Sequence, residues 1–470
     1  MRGVDQRRFP RTLTPAAALL LLLGLTGCSG SDSGSGSGSS AGAAGVRDPL
    51  FATLGNGGYD VRHYTLTLAY DPGSRRLEGT ADIVARATQD LGSFHLDLHG
   101  LTVHEVTVDG DRADTDRSGD ELIVRPAEAT ADGATFRTVV RYSGVPRTIT
   151  DPDGSEEGWL PTADGALAVG EPAGSMAWFP SNNHPSDKAT YDIAVTVPRG
   201  LQAISNGTLA RETTTATRTT TVWKSEQPTA SYLVTLAIGR YDVTRGTLPT
   251  GQQILSAVDP TITTERRRLL ARIPEITRWS AERFGPYPFS AGGAIVVPPG
   301  EVGYALETQT RPVFPADQFD LPTLVHEIAH QWYGNSVTPK TWKDMWLNEG
   351  FATYAEWLWA EDFDGTPARE SFDAAFADED NWAFPPAEPP SAARISDAPV
   401  YGRGAMVLHR VRTAVGERTF RSILAGWPRE YRHRNASTAD FTAYVENVSG
   451  TDLDEVWKTW LYGTEKPLGP

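Results

Sequence analysis

Over residues 59 to about 243 the chain alternates apolar and polar positions with a period of two. Tyr64, Leu66, Leu68 and Tyr70 do so ahead of the turn Asp71-Pro72-Gly73, and Tyr191, Ile193, Val195 and Val197 repeat the pattern later. That period places alternate side chains on one face of a strand, so short, half-buried strands are predicted throughout. The Thr-rich residues 213–221 fit exposed strands. From about Thr261 the spacing becomes helical: Leu269, Leu270, Ile273, Ile276 and Trp279 form one stripe, which Pro274 interrupts. Leu324, Val325, Ile328, Ala329 and Trp332 form another, with Asp320 and Pro322 as its predicted start and Gly334 as its stop. A further helix is predicted after Asn348 as cap, with Phe351, Tyr354, Ala355, Leu358 and Trp359 as its apolar face, and one more through Ala405, Met406, Leu408 and Val411.

Chemistry enters on the second of these helical stripes. It carries His326-Glu327-Ile328-Ala329-His330, and helical residues four apart differ in direction by about 40°, so both imidazoles reach one ion. Eighteen residues separate His330 from Glu349, enough to turn and bring a carboxylate back onto the first helix. Two imidazoles and a carboxylate are the ligand set of a catalytic zinc, which keeps a fourth position for water and lowers its pKa to about 7. Glu327 then stands beside the ion without ligating it, placed to take a proton during attack on a carbonyl. The expected chemistry is amide hydrolysis with one Zn2+ per chain. By contrast His95, Asp97 and His99 alternate with Phe94, Leu96 and Leu98 and are expected to form a solvated strand face in preference to a metal cluster.

These residues carry a resemblance. The segment from His326 through Gln331-Trp332-Tyr333-Gly334-Asn335, followed by Trp346-Leu347-Asn348-Glu349-Gly350-Phe351-Ala352, is similar to the zinc core of the aminopeptidase N family of gluzincin metallopeptidases. The resemblance runs from about Tyr59 to the C-terminus. It implies His326, His330 and Glu349 as ligands and Glu327 as general base. It also implies that Glu307, in a strand Tyr304-Ala305-Leu306-Glu307-Thr308 where the family has Gly-x-Met-Glu-Asn, binds the substrate's free amine. Tyr304, Leu306 and Thr308 depart from that signature, which bears on the shape of the first substrate pocket. Glu171, in Val169-Gly170-Glu171-Pro172, falls at the family's second amine-binding position; Asn183 stands where the family has Asp, which would weaken the local link. Tyr401, in Tyr401-Gly402-Arg403-Gly404-Ala405, takes the place of the tyrosine that donates to the oxyanion, with Arg403 replacing Lys. Two carboxylates on one ammonium would fix the chain end, so that only the first peptide bond meets the zinc.

The N-terminus adds an address. Arg2, Arg7, Arg8 and Arg11 precede a short apolar run and Leu25-Thr26-Gly27-Cys28, which resembles a bacterial lipobox whose Cys becomes lipidated. Cys28 is the sole Cys, so no disulfide forms within the chain. Residues 29–40 are almost all Ser and Gly and behave as a flexible tether. The formal net charge is −16, and residues 1–28, with four Arg and one Asp, would leave the remainder at −19. So acidic a body has no electrostatic reason to bind nucleic acid or anionic lipid, leaving attachment to the lipid at Cys28.

The roughly 420 residues beyond the tether exceed what one core serves, so at least two domains are expected. The expected organisation is multidomain: signal peptide 1–28, tether 29–48, an all-β saddle domain over 49–248 and a thermolysin-like, mainly helical α/β zinc-peptidase domain over 249–470. The family's long C-terminal helical domain is expected to be missing. The expected protein is a monomeric zinc aminopeptidase acting on peptides with a free N-terminus, held outside the cytoplasm on the outer face of a bacterial cell membrane. A thermolysin-like endopeptidase and a non-catalytic cell-surface binding protein are the rival readings.

Overall fold

The computed structural model describes residues 40–248 and 250–469, so the lipobox, Cys28 and the Ser/Gly run through residue 39 lie outside the described residues. The alternating region folds as predicted into strands. Tyr59–Asp71 turns at Pro72-Gly73 and returns antiparallel as Arg76–Ala87, with Asp71 Oδ1 accepting from Gly73 N at 3.0 Å. Both strands belong to an eight-stranded sheet in which Tyr59–Asp71 also pairs in parallel with Lys188–Pro198. That register sets Tyr64 opposite Tyr191, their rings stacked at 4.9 Å. The Thr-rich hairpin is exposed from Ala210 to Thr214 but not throughout: Thr219 and Thr221 face inward and are buried. A five-stranded sheet, containing Glu156–Pro161 and Ala166–Val169, covers the inner face.

A four-stranded sheet joins the halves. Gln253–Val258, Ala291–Val297 and Val313–Pro315 run parallel, with Asp242–Thr247 antiparallel at the edge. Its residues alternate between two cores, because a strand covered on both sides must be apolar on both. Leu255, Ala257, Ile295 and Val297 pack with the N-terminal sheets, whereas Ile254, Val258, Ala294 and Val296 pack with the helices.

The helical half follows the predicted stripes with shifted ends. The first stripe breaks at Pro274: Leu269 and Leu270 lie in a 3₁₀ turn, Arg268–Arg272, and Pro274 sits in the opening turn of the helix Ile273–Phe284, where a missing N–H costs nothing. In the second, Leu321–Ala329, Asp320 caps as expected by accepting from Thr323 N. That helix stops at Ala329, not at Gly334, but His330 keeps helical dihedrals, so its ring stays in register with that of His326. Trp346–Trp359 starts before Asn348, which is therefore no cap; a short 3₁₀ turn, Trp342–Asp344, boxed by Thr341 and Asp344, opens it instead.

The expected tether is also shorter than drawn. Residues 40–48 belong to the folded body: Gly42 N donates to Ser93 O at 2.7 Å, and Asp48 is buried. Polar and glycine content alone does not reveal that a segment's backbone finds partners.

Candidate active site

The helix Leu321–Ala329 and the helix Trp346–Trp359 pack side by side and bring together what the sequence predicts. Glu349 Oε2 lies 3.1 Å from His326 Nε2 and 3.4 Å from His330 Nε2. The remaining ring nitrogens are also occupied: His326 Nδ1 is 2.7 Å from Glu356 Oε1, and His330 Nδ1 is 3.0 Å from the Tyr333 carbonyl. Acceptors at both Nδ1 atoms keep a ring proton there, so that when the Nε2 protons facing Glu349 are given up, the Nε2 lone pairs are left in the tautomer a metal requires. One ligand atom from each of His326, His330 and Glu349 lies within 4.8 Å of the other two. The donor set fits zinc: two imidazole nitrogens and one carboxylate, all nearly dry. Gly334 (φ 116°) closes the turn after His330; a side chain there would meet His330 Nδ1 and Asn348 within 3.3 Å.

A cavity of about 500 Å³ opens on this centre and is lined by Glu171, Glu307, Glu327, Glu349, Tyr304 and Tyr401 among others. Glu307 arrives on a loop with a single bridge, Leu306 to Val313, not on the expected strand. Its backbone carbonyl is gripped by Gln331 and Asn335, with the amides at 3.3 and 2.7 Å, so the residues after the His helix aim Glu307. Glu307 Oε1 and Glu327 Oε2 are buried without a protein partner. Such orphans are costly unless a ligand satisfies them. Burial pushes the Glu327 carboxyl up to about 8, although His326 and His330 oppose the shift. Glu171 is raised well above the usual range by burial and then by the charges of Glu307 and Glu349. Glu307 is raised by burial as well, with His330 pulling it down and Glu349 pushing it up. Glu349 goes the other way, to about 2, because the His330 charge and the His326 hydrogen bond overcome its burial. Several carboxylates sharing one dry cavity repel, and each favours arrival of positive charge.

Tyr401 sits in a π-turn, Pro399–Arg403, with its ring stacked 6.1 Å from that of His326. Burial and the nearby carboxylates push its pKa far up, so the hydroxyl keeps its proton. Gly350 and Gly404 allow this placement: a Cβ on Gly350 would lie 2.8 Å from the Gly404 backbone, so the helix carrying Glu349 approaches Gly404–Val415 at backbone contact. Arg403 faces away from the cavity. It is fully buried, lies over Trp382 and donates to the carbonyls of Phe384, Thr459, Trp460 and Gly463, tying down the C-terminal segment.

One reading of a lesser site changes. Asp97 is not solvated; it is buried and accepts from Asn56 Nδ2 and Asn183 N, while His95 pairs with Glu121 and His99 with Asp120. Asn183 is buried two residues before Pro185. Its amide donates to Ala173 O at 2.8 Å, which a carboxylate cannot do, and its Oδ1 accepts from Ser231. Glu356 lies seven residues after Glu349, two turns along the same face, a spacing in the sequence that marks it as a candidate partner of the same ring.

A helix that offers two imidazoles to a glutamate of the next helix, with a spare carboxylate beside them, defines a zinc peptidase. Comparison with known families narrows the class. Residues 61–233 match the Peptidase M1 N-terminal domain and residues 318–460 match the Peptidase family M1 domain, and the chain belongs to that family. An M1 zinc metallopeptidase from Deinococcus radiodurans superposes with a TM-score of 0.84 at 29% identity, covering 91% of this chain and 98% of its own. A mutant of that enzyme with a Tyr-Ser-Ala substrate gives 0.85, again at 29% identity, with 91% and 99% covered. Aminopeptidase N of Streptomyces lividans is 29% identical over 79% of this chain and 46% of its own length. Aminopeptidase M1-C of rice is 26% identical over 64% and 37%. The chain thus spans less than half the length of these curated relatives.

Proposed function

We propose that the chain is a zinc-dependent aminopeptidase that removes single residues from the free N-terminus of peptides. His326, His330 and Glu349 would hold the metal, which when bound supplies Lewis acidity at the scissile carbonyl and acidifies water. Glu327, with a free oxygen at the cavity wall, accepts the proton from water and returns it to the leaving amine. Tyr401 donates its hydroxyl proton in a hydrogen bond to the oxygen on which negative charge develops. Glu171 and Glu307 hold the ammonium and so set the distance to the first peptide bond. The observation that carries the reading is this last pair: two carboxylates from separate halves of the chain line one cavity with the metal-binding trio, and after burial the charge of Glu307 is the largest cause of the raised proton affinity of Glu171. The Deinococcus relative's Tyr-Ser-Ala complex supports a peptide as the occupant.

Acetylating the substrate's amine tests it. A free-amine tripeptide should be cleaved and its acetylated form should not, and Glu307→Gln should raise KM for the first without creating activity on the second. Equal cleavage of both forms would mean an endopeptidase, with Glu171 and Glu307 outside the mechanism.

The lipobox-like Leu25-Thr26-Gly27-Cys28 supports a second proposal, that lipid on Cys28 holds a monomeric enzyme on the outer face of the cell membrane. No helix among the described residues is long and apolar enough to cross a membrane. Labelled palmitate should enter the wild-type chain and not Cys28→Ser, and labelling of both would refute the assignment.

A further inference from the structure

The segment that precedes the N-terminal sheet does more than lead into it. Asp48 is buried beneath it and gathers four donors: Oδ1 accepts from Leu50 N at 2.8 Å and Phe51 N at 2.9 Å, and Oδ2 accepts from His184 Nε2 at 3.1 Å and Trp342 N at 2.9 Å. Trp342 opens the turn that feeds the Glu349 helix. One carboxylate therefore binds the leading segment, the saddle domain and the zinc-site helix together. What it delivers is Phe51. That ring packs on Trp342 at 5.6 Å, and Trp342 in turn meets Tyr232 at 5.2 Å. Although only 9% exposed, Phe51 lines the same cavity as Glu307, Glu349 and Tyr401.

Taking the cavity as the peptide site, we propose that Phe51 is a specificity-determining residue, an apolar wall against which a side chain at the first or second position of the bound peptide rests. The lining mixes seven carboxylates with carbon surfaces, Phe51, Leu306 and Ile395 among them, and an apolar side chain gains by leaving water only where it meets carbon. Phe51 brings a phenyl ring without a polar atom to this lining, and Asp48 accepts from its backbone N–H at 2.9 Å, so little ordering cost remains when a substrate arrives.

The test uses the zinc-loaded chain in a Glu327→Gln background, so that binding is read without turnover. Dissociation constants are compared for Leu-Ala-Ala, Ala-Leu-Ala and Ala-Ala-Ala, all with free amines. Phe51→Ala should weaken one Leu peptide by about tenfold, in the range of one pocket contact, while leaving Ala-Ala-Ala nearly unchanged. Phe51→Leu should restore most of the preference, which a merely structural role would not require. Asp48→Asn should weaken the same Leu peptide in the parent but add little on top of Phe51→Ala, because the two act as a unit. Melting curves confirm that each variant is folded; if Phe51→Ala is not, Phe51→Leu and Phe51→Tyr carry the comparison. Unchanged Leu-to-Ala ratios at both positions would overturn the proposal. Hydrolysis of free against acetylated peptides by the unaltered chain fails or succeeds independently of Phe51, so the aminopeptidase reading and this one are separable.

Discussion

Glu356 reaches back along its helix to stand 2.7 Å from His326 Nδ1, while Glu349, seven residues earlier, faces Nε2 of the same ring. One imidazole is thus held at both edges by carboxylates of a single helix. The outer partner fixes the tautomer and raises the basicity of the inner nitrogen. Glu356→Gln retains an acceptor but loses the charge, and should lower zinc affinity or turnover by about 10–100-fold. Competition with a chromophoric chelator measures the first; unaltered affinity and unaltered turnover would assign Glu356 no part in the site.

Glu327 Oε2 is buried without a protein donor, and a Glu327 carboxylate oxygen lies within 4.8 Å of a ring nitrogen of His330. Glu327→Gln should keep stoichiometric zinc by atomic absorption and lose turnover by about 10²–10⁴-fold, the range of positioned acid-base catalysis. A variant that also loses its metal would place Glu327 among the ligands.

Tyr401→Phe removes one oxygen and leaves the ring stacked beside His326. A donor aimed at a developing oxyanion is worth about 10²–10³ in kcat, so kcat should fall by roughly that factor with KM little changed. A KM effect alone would make Tyr401 a ground-state contact.

Stability should depend on pH through Asp187, whose carboxyl burial pushes up to about 8 despite bonds from Val61 N and Asn182 Nδ2. The folded state binds a proton that the unfolded chain has already released above its ordinary carboxylate pKa. The sign follows: this contribution is complete in acid and is lost as pH rises through about 8. Asp187→Asn should flatten the urea midpoint between pH 5 and 8 by up to one proton, about 1.4 kcal/mol per pH unit. A slope identical to the parent's would show that Asp187 ionises normally in the fold.

Much of this was legible in the chain because it rests on local periodicity. The two-residue alternation placed Tyr64 to Tyr70 and Tyr191 to Val197 in the core, and the four-residue spacing of His326 and His330 gave the metal-facing edge of a helix. Boundaries were less legible: Asn348 reads as a cap, yet the Thr341 and Asp344 pair wins, because two reciprocal hydrogen bonds beat one. Long-range relations left no mark at all. Nothing near residue 51 announces that its ring meets Trp342, and nothing in Arg403 as a cation tells that four backbone carbonyls, not a substrate, surround it. Glu356 is the exception, since its two-turn distance from Glu349 was available to be read.

The strands Gln253–Val258 and Ala291–Val297 give one face to each apolar core. Splitting the gene near residue 249 would consequently leave both products with a raw hydrophobic surface, prone to precipitate. Chimaeras that exchange the front of this chain for that of a relative must therefore carry these two strands' inward residues as matched cargo, or lose solubility before any question of catalysis arises.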